Sequence, residues 1–143
     1  MRDVPRQLEE LAELFEGRTR LVEKLAEQDD PLGSAHDVIR TLSEEEKLEA
    51  LNAHPAIGAR RLSVRSAAEQ GTDDEPETLA ELERLNGEYE ERFGFRFVVF
   101  VNRRPKSEIV PILRERLERS REEELDTAVE ELVAIAEDRW RRS

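Results

Sequence analysis

Phe93-Gly94-Phe95-Arg96-Phe97-Val98-Val99-Phe100-Val101 decides the fold class of this 143-residue chain. Taken alone, the aromatic and β-branched run from Phe97 to Val101 has the composition of a buried strand. A strand has to pair its backbone groups with a neighbour, and no second run of this kind occurs in the sequence. The stretch is therefore expected to be an extended, buried connector with some irregular helix, whose N–H and C=O groups meet side chains, water or a ligand. Without a sheet the chain is all-α: a single-domain bundle over residues 1–143 with about seven to eight helices and short loops.

The flanks of the stretch agree. Upstream, Pro76 starts a helix that places Leu79, Leu82, Leu85, Tyr89 and Phe93 on one side, and Gly94 breaks it. Downstream, a helix from about Lys106 to Arg119 turns Ile109, Ile112, Leu113 and Leu117 inward, with a loose first turn at Pro111. Ser120-x-x-Glu123 is a capping box that opens a last helix burying Leu125, Val129, Leu132, Val133, Ala136 and Trp140.

The N-terminal half repeats the pattern. Asp3 caps a helix with the stripe Leu8, Leu11, Ala12 and Phe15, and Gly17 ends it. Leu21, Val22 and Leu25 mark a second helix. Ser34 caps a short third one holding Val38, Ile39 and Leu42, with His36 on the surface. Ser43-x-x-Glu46 is another capping box, and Pro55 disfavours helical geometry at the preceding residue, so the helix it opens should stop at His54. His54 then lies at the negative end of a helix dipole, which favours the imidazolium. A further helix after Gly58 would carry Ser66, Glu69 and Gln70.

Composition excludes several functions. The net charge of −12 argues against a nucleic-acid partner, and the one basic patch, Arg103-Arg104-Pro105-Lys106, reads as a solvated loop. All but three of the 23 basic residues are arginines. Cysteine is absent and there are two histidines, which removes thiolate chemistry and leaves no ordinary zinc site. There is no glycine-rich phosphate loop, no His-Glu-x-x-His run and no nucleophile elbow. No apolar run approaches a membrane span and Met1-Arg2-Asp3 does not begin a signal peptide, so a cytoplasmic location is expected.

What remains is His54 with Glu69, and arginines to receive an anion. An imidazole oriented by a carboxylate can move a proton to or from carbon or oxygen. Spacing alone leaves other readings open. His54-Pro55 also serves as a helix stop, and Glu69 can equally cap a helix or pair with Arg65. Arg139 lies at i+4 and i+3 from Ile135 and Ala136, so it should point inward, where either a substrate anion or a glutamate of another helix must meet it. A non-enzymatic helical interaction module also fits the bare residues.

Several motifs in order resemble the OHCU decarboxylases, which act on 2-oxo-4-hydroxy-4-carboxy-5-ureidoimidazoline in urate breakdown. They are Ala53-His54-Pro55-x-Ile57-Gly58, Ser66-x-x-Glu69-Gln70, Asn86-x-x-Tyr89 before Phe93-Gly94-Phe95-x-Phe97, Ser107 to Leu117, and Ile135-Ala136-x-x-Arg139. The resemblance covers roughly residues 8–142. It implies an all-α decarboxylase, usually a homodimer, that takes a small anionic substrate, delivers (S)-allantoin and needs no metal or organic cofactor. By the same resemblance His54, Glu69 and Arg139 are catalytic, Pro55, Ser66 and Gln70 line the pocket, and main-chain groups of Val99, Phe100 and Val101 meet the ring and ureido group. Two positions depart from the family pattern. Arg96 replaces a common proline, and Ala56 stands where bacterial relatives often carry Arg or Asp. These changes bear on substrate fit more than on chemistry.

Overall fold

The computed structural model describes residues 4–54 and 75–142. All regular structure among the described residues is helical, as expected, in seven helices: α1 (Val4–Leu14), α2 (Arg20–Ala26), α3 (Ala35–Arg40), α4 (Glu44–Ala53), α5 (Pro76–Phe93), α6 (Lys106–Arg116) and α7 (Arg121–Arg142). They form two compact units. One holds α1–α4 and α7 from Val129 onward; the other holds α5, α6 and α7 up to Ala128.

In the first unit α2 is the central helix, packed against α1, α3 and α4. Its Leu21, Val22, Leu25 and Ala26 are buried, as are Leu11, Leu14 and Phe15, Ala50 and Leu51, and Leu132, Val133 and Ala136. Each large side chain so buried contributes about 1.5–3 kcal/mol. Thr19 caps α2, its hydroxyl oxygen accepting the Val22 N–H at 3.4 Å. The capping box at α4 is complete: Glu46 N–H donates to Ser43 Oγ at 3.2 Å, and Ser43 N–H donates to Glu46 Oε1 at 2.8 Å. Ser34, by contrast, makes no side-chain cap at α3. Its backbone is already in the helical region (φ −94°, ψ 0°) rather than extended, so the hydroxyl is not turned to the first-turn amides.

The end of α1 also differs from expectation. Glu16, not Gly17, adopts the left-handed conformation (φ 65°), and the Gly17 N–H reaches the Ala12 carbonyl at 2.9 Å in a Schellman arrangement. Gly17 packs beside α4, where a Cβ would meet the Ala53 Cβ at 3.4 Å, ordinary van der Waals contact.

In the second unit α5 packs on α6. Leu82, Leu85, Tyr89 and Phe93 are buried and Leu79 is half-buried. Gly94 closes α5 in the left-handed region (φ 80°), its N–H on the Glu90 carbonyl at 2.8 Å. The helix α6 ends at Arg116, earlier than the hydrophobic pattern suggested, with Ile109 and Leu113 inside and Pro111 exposed. Ser120 and Glu123 complete the second capping box, at 3.1 and 3.3 Å.

Residues 97–101 have no regular secondary structure and join no sheet among the described residues. Three of their five carbonyls are taken by arginines. Arg116 Nη1 donates to Val98 O at 2.7 Å, Arg104 Nη2 to Phe100 O at 2.8 Å and Arg104 Nε to Val101 O at 2.9 Å. The basic patch is thus only partly solvated. Arg103 is exposed, but Arg104 is half-buried on these carbonyls and Lys106 is buried. Trp140 corrects the last stripe: it is 54% exposed. The inward slot at that level of α7 belongs to Arg139, which continues the stripe through Ile135 and Ala136, so Trp140 is rotated outward by about 100°.

Candidate active site

His54 is the C-terminal cap of α4. Its backbone is extended (φ −84°, ψ 136°), as the following proline requires, and its N–H donates to Leu51 O at 3.2 Å. The side chain is only 8% exposed, so His54 is not a solvated helix-end residue. Four other candidates, Pro55, Ser66, Glu69 and Gln70, lie outside the described residues.

Arg139 points inward from α7 and is 1% exposed. Its Nη1 donates to the Leu14 carbonyl at 2.8 Å and lies 3.2 Å from Glu16 Oε1. The C-terminus of α1 therefore offers a cation two anchors: a helix-end carbonyl, at the negative pole of the helix dipole, and a carboxylate. The carboxylate comes from the turn after α1 rather than from the body of another helix. His54 and Arg139 belong to the same unit.

The same unit has a cavity of about 130 Å³ lined by Leu11, Leu14, Leu32 and Trp140, with Glu10 and Asp30 at its polar edge. Two carboxylates make it a poor receptor for an anion.

Val99 and Val101 are buried and Phe100 is half-buried, within the second unit. This segment leans on a charged network that sequence reading missed. Glu124, fully buried, accepts from the Tyr89 hydroxyl at 2.6 Å and from Arg116 Nε at 2.7 Å on Oε1, and from Arg119 Nη1 at 2.9 Å on Oε2. Arg116 also stacks over Phe97, with Cζ 4.6 Å from the ring centroid. Burial, reinforced by the hydrogen bond to the Glu124 carboxylate, pushes the Tyr89 hydroxyl well above its usual pKa. The signal for the network was available: Ile109, Leu113 and Arg116 follow one helical stripe, and Glu124 precedes Ala128 by one turn.

Comparison with known proteins adds the family. A family model described as OHCU decarboxylase matches residues 3–141. The chain is 32% identical over 126 residues to a 2-oxo-4-hydroxy-4-carboxy-5-ureidoimidazoline decarboxylase from Haloferax volcanii, a region that covers 84% of this chain and 74% of that protein. It is 32% identical over 108 residues to a uric acid degradation bifunctional protein of Bacillus sp. (strain TB-90), covering 70% of this chain and 21% of the larger protein. A crystal structure of OHCU decarboxylase in the presence of (S)-allantoin superposes with a TM-score of 0.77 at 25% identity, over 91% of this chain and 94% of that one.

Proposed function

This chain belongs to the OHCU decarboxylase family, and we propose that it removes the carboxyl group of 2-oxo-4-hydroxy-4-carboxy-5-ureidoimidazoline to give (S)-allantoin. The observation that carries this reading is the family match over residues 3–141. By the resemblance His54 and Arg139 take catalytic positions, and both are buried within one unit.

The chemistry assigns a task to each group. The bond from C4 to the carboxyl carbon breaks, carbon dioxide leaves, and its electron pair forms a C4=C5 bond as the C5=N pair moves onto the ring nitrogen, which takes up a proton. The C4 hydroxyl becomes the product carbonyl as it loses its proton, and C5 gains one. That proton must reach one face only, or the allantoin is racemic. His54 handles the proton at the C4 hydroxyl and the reacting carbons, and Glu69 orients the imidazole or the ureido group. Arg139 holds substrate oxygen atoms as a planar, permanently charged donor. Main-chain groups of Val99, Phe100 and Val101 meet the ring and ureido group, stabilising the charge that develops there. Pro55, Ser66 and Gln70 complete the pocket wall. The protein acts in the cytoplasm as a homodimer, without metal or organic cofactor. Among the described residues no helix is long and apolar enough to cross a membrane.

The test is the reaction itself, with urate oxidised freshly and hydroxyisourate hydrolysed in place. Optically active allantoin should appear faster than the spontaneous reaction allows. His54→Ala and Glu69→Gln should remove that excess while both variants remain folded. Racemic allantoin at the spontaneous rate from the wild-type protein would rule the reading out and leave in its place a helical interaction module or a decarboxylase or hydrolase of another cyclic ureide. Sedimentation equilibrium reports the dimer independently.

A further inference from the structure

We propose that Arg104 is a positioning residue that aims the main-chain amide of Val101 at the substrate; this rests on the decarboxylase reading above. Three bonds converge on two successive carbonyls. Arg104 Nη2 holds Phe100 O at 2.8 Å, Arg104 Nε holds Val101 O at 2.9 Å, and the Arg104 backbone N–H closes on Val101 O at 3.1 Å. The last bond closes a tight turn whose central residues, Asn102 (φ 51°) and Arg103 (φ 61°), are both left-handed, the I′ pattern without a glycine. Two consecutive side-chain-bearing residues in that region are strained, and such strain persists only where surrounding contacts over-determine the backbone.

The consequence follows from the planarity of the peptide unit. In a trans peptide the carbonyl of one residue and the N–H of the next point in opposite directions within one rigid plane. Holding Phe100 O therefore fixes the direction of the Val101 N–H, and holding Val98 O through Arg116 fixes that of Val99. Both donors face away from the arginine that sets them. A segment with no sheet neighbour among the described residues has no ladder to orient its amides, and guanidinium groups take over that task. Arg116 is bound into the buried Glu124 network, so its removal would disturb the core. Arg104 is half-buried on a turn, so its replacement is expected to disturb the core less.

Arg104→Ala frees the Phe100–Val101 peptide plane. KM for the ureidoimidazoline and the dissociation constant for (S)-allantoin should each rise roughly tenfold or more, with kcat changed less and Tm little changed. The Val101 amide, followed by ¹⁵N NMR, should shift on adding (S)-allantoin to the wild type and lose that response in the variant. Arg104→Gln, which can reach one carbonyl but not both, should fall between, and it decides by the same criteria if the alanine variant does not fold. An active wild type with unchanged KM and product affinity in the variants overturns the positioning role alone, as does a fall in Tm with KM intact. An inactive wild type overturns the decarboxylase reading and this inference with it.

Discussion

The Glu16 carboxylate lies 3.2 Å from the Arg139 guanidinium, and Glu16 reaches it from a left-handed backbone with φ of 65°. Two opposing effects meet at this residue. Glycine would relieve the left-handed strain, worth about 1–2 kcal/mol. It would also take the Glu16 carboxylate from a cation that is 1% exposed, and breaking a buried pair costs about 3–5 kcal/mol. Glu16→Gly should therefore destabilise by about 2 kcal/mol net in urea denaturation. A variant as stable as the wild type would show that the pair is not what holds Glu16 in place.

Arg139 itself separates stability from function. Arg139→Lys keeps the charge near Glu16 and Leu14 O but loses the planar fork. The expected outcome is a strong fall in kcat/KM with a modest change in Tm. A sharp fall in Tm with normal activity in the remaining folded protein would make Arg139 a structural residue only.

The Glu124 network should show the asymmetry of buried ion pairs. Glu124→Leu leaves the buried Arg116 without its carboxylate and should cost about 3 kcal/mol or more. Tyr89→Phe removes one hydrogen bond to that carboxylate and should cost about 1–2 kcal/mol. Arg116→Met combined with Glu124→Leu should recover most of the loss of the single change. Equal and additive losses in the double-mutant cycle would contradict the coupling.

Tyr89 is the chain's single tyrosine, so its titration can be read directly from phenolate absorbance. Its folded-state pKa is raised above the ordinary 10.0, chiefly by burial and then by Glu124. The group therefore adds stability that is fully present below pH 10 and is lost as pH rises above it. Phenolate should appear only together with loss of the helical circular-dichroism signal. Phenolate formed in the folded protein near pH 10 would contradict the burial.

The acid limb has the opposite sign. Glu46 is held below the usual carboxylate value of 4.5, chiefly by the Ser43 N–H, and Glu123 below it chiefly by the Ser120 side chain. Both groups add stability above that value and lose it as pH falls through the folded-state values. Glu46→Gln with Glu123→Gln should be less stable than the wild type at neutral pH and indistinguishable from it in acid. A constant difference across the range would assign the effect to something other than charge.

The features legible in the sequence are those set by neighbours in the chain. Gly94, the two capping boxes and the helix stop at His54 all depend on residues within one turn of each other. The connector at 97–101 was legible by a global argument, the want of any partner strand. Its actual ligands were not, because Arg104 and Arg116 look like ordinary solvated charges in a chain that is 41% charged. Arg116 does follow Ile109 and Leu113 on one helical stripe, but the stripe alone does not say which carbonyl or carboxylate meets it. Glu16 was hidden for a different reason: glycine is the usual left-handed residue, and the glycine one position later drew the reading to itself. Trp140 was misplaced because a large apolar residue and an arginine competed for one inward slot, and the arginine, anchored at Leu14 and Glu16, holds it. The candidates Pro55, Ser66, Glu69 and Gln70 rest on the family pattern, outside the described residues.

The arginine-held connector also bears on what happens when the chain unfolds. Phe97-Val98-Val99-Phe100-Val101 carries no charge and no proline, the composition that stacks readily between identical chains into cross-β assemblies. In the native chain the guanidinium groups of Arg104 and Arg116 occupy the carbonyls of Val98, Phe100 and Val101, and so deny another chain those acceptors. Unfolding withdraws both arginines at once and leaves the strip open to its copies. Heating at high protein concentration should then end in precipitation instead of refolding, and the same two side chains that orient the connector act as its guard against self-association.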